Sequence, residues 1–387
     1  LVIGAAVPHP VYLDHNATSP VRPEAMTAMT AALAQAANPS SVHAAGRRVR
    51  SIVEDAREAV AALVGADASG LVFTSGGTEA NALAMANAGT FASRLILGAT
   101  EHEAVAANAA ASGLPLETWP VDPRGVADME WLKRRLAALT AAGERPLVAL
   151  MLANNETGVI QPVAEAASLV HAAHGWLHVD AVQALGKISI DVARLGADTL
   201  ALSAHKLGGP QGIGALVHGA DAPVQPWLRG GGQERGLRAG TENVPGIAGF
   251  AAAAQAALRD IAGVQARAIW RDGAAARLAA AGGVVVGAGA DRLPNTLCMA
   301  TPGFDASLQV ISLDLEGVMV SAGAACSSGK VRPSGVLTAM GLTDLAGCAI
   351  RASGGWTTIE QDWDRFADVW CAVYARHATR ARMKEFA

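Results

Sequence analysis

Charge of one sign is scarce in this 387-residue chain. Thirty Lys and Arg stand against 34 Asp and Glu, a formal net charge of −4. No basic tail or single-sign run is present, so there is no electrostatic case for nucleic acid or an anionic membrane as a main partner. Cysteine is also sparse: Cys298, Cys326, Cys348 and Cys371, with no CxxC pair, which argues against a zinc ribbon or a thioredoxin-type motif. Long apolar runs are missing too. The longest uncharged stretch, near 243–258, is read as too short to span a bilayer and carries Pro245 and Gly249. The opening residues lack a basic n-region, so no secretory signal is expected. These absences lead to the expectation of a soluble cytoplasmic protein with reduced thiols.

What is abundant is apolar: 51% hydrophobic against 17% charged residues, the balance of a globular chain with a large core. The Ala-rich stretches 104–111 and 251–257 read as helices, alanine being the best helix former. Short apolar runs at 71–74, 94–97, 147–152, 177–179 and 199–202 alternate with helical patterns, which predicts an α/β fold with a mostly parallel sheet. The run 212–217 follows the preceding strand too closely for a helical crossover and is expected to pair antiparallel. Beyond a long helix near 247–262, runs 284–286 and 308–313 read as short strands.

Four segments carry chemistry. Phe73-Thr74-Ser75-Gly76-Gly77-Thr78-Glu79 takes a strand through a glycine turn into a helix. Free N–H groups at such a helix start suit a phosphate, and a plain capped turn explains the pattern equally well. In His178-Val179-Asp180-Ala181-Val182-Gln183, Asp180 follows a strand, where α/β sheets place ligands; it suits a pyridine nitrogen, or simply a helix cap. Ser203-Ala204-His205-Lys206-Leu207-Gly208-Gly209 sets a lysine just past a buried strand, a place that lowers an amine's pKa and favours a Schiff base. Alone, Lys206 reads as a surface charge. Ser321-Ala322-Gly323-Ala324-Ala325-Cys326-Ser327-Ser328-Gly329-Lys330 puts Cys326 among small loop residues, with a lysine near to favour the thiolate. Arg351 is a candidate clamp for a carboxylate, and His102 for ring stacking or proton transfer. His171, His174 and His178 are closely spaced. The first two are expected on one helix face and the third in the next strand, so no zinc site is expected.

Together these segments resemble the cysteine desulfurases of the NifS/IscS type, fold-type I enzymes dependent on pyridoxal phosphate (PLP) within the class-V aminotransferases. The resemblance runs from Tyr12-Leu13-Asp14-His15-Asn16-Ala17-Thr18 to about Glu360. It includes Asn38-Pro39-Ser40-Ser41-Val42-His43, Asn154-Asn155-Glu156-Thr157-Gly158, Gly230-Gly231-Gly232-Gln233-Glu234-Arg235 and Arg238-Ala239-Gly240-Thr241-Glu242-Asn243. It implies a large PLP-binding domain at 15–255 with a mostly parallel seven-stranded sheet. A smaller α+β domain, 1–14 plus 256–387, would carry the cysteine loop. By resemblance Lys206 bears the cofactor, Asp180 pairs with the ring nitrogen, Gln183 meets the ring hydroxyl and His102 stacks on the ring. Gly77, Thr78, Ser203 and His205 hold the phosphate, and Thr241 reaches the phosphate of a neighbouring subunit in a homodimer. Asn155 and Arg351 grip the substrate carboxylate, Asn155 also lying near the cofactor. Cys326 accepts sulfur from L-cysteine as a persulfide and passes it to an acceptor such as an iron–sulfur scaffold protein. Other PLP chemistries (aminotransfer, β-lyase cleavage, selenocysteine lysis) and a non-catalytic scaffold are the rival readings.

Overall fold

A computed structural model describes residues 10–35, 37–325 and 331–385. The seven strands of its main sheet are β1 Leu71–Thr74, β2 Arg94–Gly98, β3 Leu116–Trp119, β4 Pro146–Ala149, β5 Trp176–Asp180, β6 Thr199–Ser203 and β7 Gly214–His218. They lie in the order β1-β7-β6-β5-β4-β2-β3. All run parallel except β7, which is antiparallel to both neighbours, as the short connection before it requires. β1, β4 and β6 are buried along their whole length, because helices cover both faces. The C-terminal ends of β1, β2, β4, β5 and β6 therefore open on one edge. Gly214 allows β7 to begin there: a side chain on it would lie 2.6 Å from the Gly76 backbone.

Helices α1 Pro23–Leu33, α2 Ala44–Leu63, α3 Gly77–Met85, α4 Glu103–Ala111 and α5 Val244–Ala266 frame this edge and the main core. α5 corrects one expectation. It runs 23 residues, well past the stretch judged too short for a bilayer, and has the length and hydropathy to cross one. Its apolar side, including Ile247, Phe250, Ala253, Ala254 and Ala257, is instead buried in the core, and the helix packs on α1 and α2. That placement accounts for its hydropathy.

A second core gathers around a four-stranded antiparallel sheet of β8 Val284–Val285, β9 Thr296–Ala300, β10 Ser321–Ala322 and β11 Ala349–Ser353, in the order β10-β11-β9-β8. Val11 and Leu13 from the start of the chain pack in it. The run 308–313, expected as a strand, is part of a helix at Ala306–Leu315. Asp305 caps that helix, its carboxylate accepting from Ser307 and Leu308 N–H. Four apolar residues among six, at 308, 310, 311 and 313, are too short a pattern to tell strand from buried helix.

The glycine-rich segment 230–240 anchors a buried charge. Glu234 sits with φ of 47° and Arg235 with φ of 56°, both left-handed without being glycine. The Glu234 carboxylate accepts two bonds from the Arg57 guanidinium, each 2.8 Å, and one from Phe73 N–H at 2.7 Å. A bidentate pair with a backbone donor holds the strained backbone in place and ties the segment to β1.

Candidate active site

The turn after β1 is built to leave donors free. Gly76 stands before α3 and offers no side-chain cap, so the first N–H groups of α3 keep no side-chain partner at the cap. Ser75 N–H donates to the Glu79 carboxylate, which also accepts from Arg238. A Cβ on Gly77 would come within 2.7 Å of Val182 and 3.5 Å of Ser203 Cβ, so only glycine lets the helix start approach β5 and β6. Thr78 is exposed beside it. His205 bonds Thr18 Oγ1 at 3.1 Å through Nδ1. Burial, with Lys206 and Lys187 nearby, pulls its pKa down to about 4.

Asp180 ends β5. Its carboxylate accepts from Asn81 Nδ2 at 2.8 Å and from Val182 N–H at 2.9 Å. Because Asn81 spends its N–H on Asp180, its carbonyl oxygen must accept from His178 Nε2, 2.9 Å away. His178 Nδ1 then accepts from Thr199 Oγ1 at 2.9 Å. Burial holds His178 neutral, with a pKa near 3. This histidine is thus spent on orienting Asn81 and, through it, Asp180. His174, expected beside His171 on a helix face, lies beyond the end of that helix, at Ala172, in a left-handed turn. His171 pairs with Asp198. Among the described residues no cluster of His, Cys, Asp and Glu could hold a metal ion.

Lys206 follows β6 in a short turn that aims its side chain back across the edge. Its Nζ donates to the Asn16 and Ala17 carbonyl oxygens at 2.7 and 2.8 Å. Burial, and then the Arg351 charge, lower its pKa to about 8, against partial opposition from Asp14 and Asp180. Arg351 on β11 is buried. It donates to Asp14 at 2.8 Å and to the Asn155 carbonyl at 3.1 Å, while its Nε is buried without a partner. A guanidinium with an unspent buried donor is suited to a carboxylate ligand. Gln183 donates to the Asn16 carbonyl at 2.9 Å. Exposed His102 caps α4, Nδ1 accepting from Ala104 N–H at 3.0 Å, which leaves its proton on Nε2.

These contacts bring Gly77, Asp180, Gln183, Ser203, Lys206, Asn155 and Arg351 to one edge. Thr241 is exposed and makes no side-chain hydrogen bond to this set. Cys326 lies outside the described residues. Sequence reasoning missed Asn16, whose carbonyl and amide join Lys206, Gln183 and Asn155, and also Asn81 and Lys187. Glu101, the residue before His102, was missed as well. Burial and the Asp180 charge push its carboxyl up to about 8; one oxygen accepts from Met151 N–H and the other is buried without a partner.

Sequence comparison places this geometry. The class-V aminotransferase profile matches residues 11–366. The chain is 43% identical to a cysteine desulfurase of Cereibacter sphaeroides over 93% of this chain and 94% of that one. The chain belongs to the cysteine desulfurase group of the class-V aminotransferases. It is also 37% identical to the cysteine desulfurase IscS of Dictyoglomus turgidum, over 93% of each chain. Among solved structures, a NifS-like protein from Rickettsia africae aligns with a TM-score of 0.85 and 31% identity, over 95% of this chain and 100% of that one. SspA, solved in complex with cysteine, aligns with a TM-score of 0.75 and 27% identity, over 89% of this chain and 98% of that one.

Desulfurases of this family depend on PLP, and the donor set fits that cofactor: an uncapped helix start for a phosphate, a carboxylate fixed by two donors for a ring nitrogen, and a half-buried amine of lowered pKa. A measurable consequence follows from Lys206. Only the neutral amine captures an aldehyde, and with a pKa of about 8 its rate of PLP capture by the apo chain should rise with pH and level off above that value. At pH 7.5 the neutral fraction is about two hundred times that of an ordinary lysine. Stopped-flow absorbance reads this. A rate still climbing tenfold per unit at pH 9 would contradict the lowered pKa.

Proposed function

We infer that this chain is a PLP-dependent cysteine desulfurase that converts L-cysteine to L-alanine and places the sulfur on Cys326. The observation that carries the reading is the half-buried Lys206 amine, held by the Asn16 and Ala17 carbonyls and near enough to Asp180 and Arg351 for both charges to act on it. When bound, PLP supplies an electron sink for the carbanion formed at the substrate α-carbon.

The chain's own groups do the rest. Arg351 and Asn155 grip the carboxylate of cysteine, with Arg351 turning from Asp14 to the ligand. Lys206 Nζ, neutral once desolvated, takes the α-proton. Asp180, held by Asn81 and Val182, keeps a positive ring nitrogen paired. His102 would stack on the ring of the bound cofactor. The Cys326 thiolate attacks the substrate sulfur; the S–S bond forms as the Cβ–S bond breaks. The electron pair left at Cβ takes one proton, Lys206 returns a proton to the α-carbon, and alanine departs. L-cysteine and an enzyme thiol thus become L-alanine and an enzyme persulfide, with no outside oxidant. A dithiol or an acceptor thiol then removes the sulfur.

We further propose a homodimer in which the exposed Thr241 completes the partner's phosphate site, and a cytoplasmic setting with an acceptor protein such as an iron–sulfur scaffold. The decisive experiment incubates the purified full chain with PLP, L-cysteine and dithiothreitol. Alanine and sulfide should appear in equal amounts. Sulfide accompanied by pyruvate and ammonia in place of alanine would make the chain a lyase.

A further inference from the structure

Lys187 is a buried ionisable residue beside the site, and the chemistry above gives it no task. It is 5% exposed. It follows Gln183 by four positions in a helical turn, in which Leu185 N–H donates to Ala181 O and Lys187 N–H to Ala184 O. That spacing puts both side chains on one side. Lys187 Nζ donates to Gln183 Oε1 at 2.7 Å and to Asn16 Oδ1 at 2.8 Å. At its other end, Gln183 Nε2 donates to the Asn16 carbonyl oxygen, the same atom that accepts from Lys206. Asn16 Oδ1 takes a further bond from Asn295.

We propose that Lys187 is a positioning residue that fixes the sense of the Gln183 carboxamide, so that Gln183 can offer only an N–H to a ligand oxygen beside Lys206. The carboxamide oxygen is spent on Lys187. Turned over, Gln183 would set its oxygen against the Asn16 carbonyl and give up the bond that its oxygen accepts from Lys187, a like pair and a lost contact in a buried site. In the observed sense, one of its two N–H groups is spent on Asn16 and the second is left for a ligand. An N–H donor there suits an anionic ring oxygen, not a protonated one. Lys187 thus selects the ionisation state of the ligand at a distance. The charged groups that act on Lys187 are Lys206 and Arg351, and Lys187 in turn acts on His15 and His205.

The inference rests on PLP binding at Lys206 but not on the desulfuration chemistry, so it is read by spectroscopy. In holoenzyme carrying Lys187→Met, the pH midpoint of the cofactor's visible absorbance should rise by about one unit, the tenfold cost of losing one hydrogen bond to the anionic oxygen. In a Gln183→Leu background there is no carboxamide to turn, and Lys187→Met should add no further shift. Lys187→Gln, which keeps an N–H donor, should fall between the two. In the apo chain, NMR hydrogen exchange of the Gln183 side-chain N–H should quicken about tenfold in Lys187→Met. An unmoved midpoint and unmoved exchange, with only the melting temperature lowered, would reduce Lys187 to a structural role and overturn the proposal. A shift that persists in the Gln183→Leu background would assign the effect to charge alone and overturn it equally.

Discussion

Lys206→Ala is expected to stop turnover, with alanine formation from L-cysteine falling at least about a thousandfold, near the upper part of the range for loss of a general base. The residue has two tasks: it links covalently to the cofactor, and its freed amine moves the α-proton. Asp180, the α3 N-terminus and Gln183 are untouched by the change, so the variant should still bind PLP noncovalently. Borohydride reduction followed by mass spectrometry separates the two tasks. Wild type should carry a reduced covalent adduct on the peptide containing Lys206, and the variant none. Methylamine can restore an imine but not a base held in place, so it should recover the visible band and little of the rate. A variant retaining a tenth of wild-type activity would mean that another group moves the proton, and the neutral form favoured by burial at Lys187 would make that lysine the first to test.

Cys326→Ala is expected to lower both alanine and sulfide release from L-cysteine to below about one hundredth of wild type, as when a covalent nucleophile is removed. The fold and the cofactor residues do not include Cys326, so the variant should keep its visible absorbance. Two of the three remaining thiols are poor substitutes. Cys298 is fully buried, with its pKa pushed above the ordinary thiol range by burial and by Glu156. Cys371 is also raised, and lies in the C-terminal helix. Selenocysteine makes the sharper comparison, since selenium leaves more readily and alanine release from it should survive the substitution. Full activity of Cys326→Ala on L-cysteine would remove the persulfide from the mechanism and favour a lyase.

The sheet was legible because its strands are buried on both faces and read as apolar runs between glycine turns. The antiparallel β7 was legible because a ten-residue connection cannot hold a crossover helix. The helix at Ala306–Leu315 was not, since its cap at Asp305 and its burial on one side are invisible in a short run of Leu, Val and Ile. Within the site, Lys206, Asp180 and Arg351 stood out as charged residues beside apolar segments. Asn16 and Asn81 did not: an asparagine acquires its meaning only from which atoms surround it. Lys187 had a faint signal, a lone lysine in an otherwise apolar stretch four residues after Gln183. Its partner Asn16 lies 171 positions away, and no local pattern reports that.

The bonds around Asn16 also set a timetable. Its partners lie 190 positions on at Lys206, 280 at Thr296 and 337 at Ser353. At roughly 5–20 residues per second, a ribosome needs some tens of seconds between releasing Asn16 and releasing β11. Once β7 has emerged, the main sheet can form while the edge that would receive the cofactor lacks Arg351 and Ser353. Cofactor loading is therefore a step for the finished chain, and a truncated translation product that ends before β11 folds around an incomplete pocket.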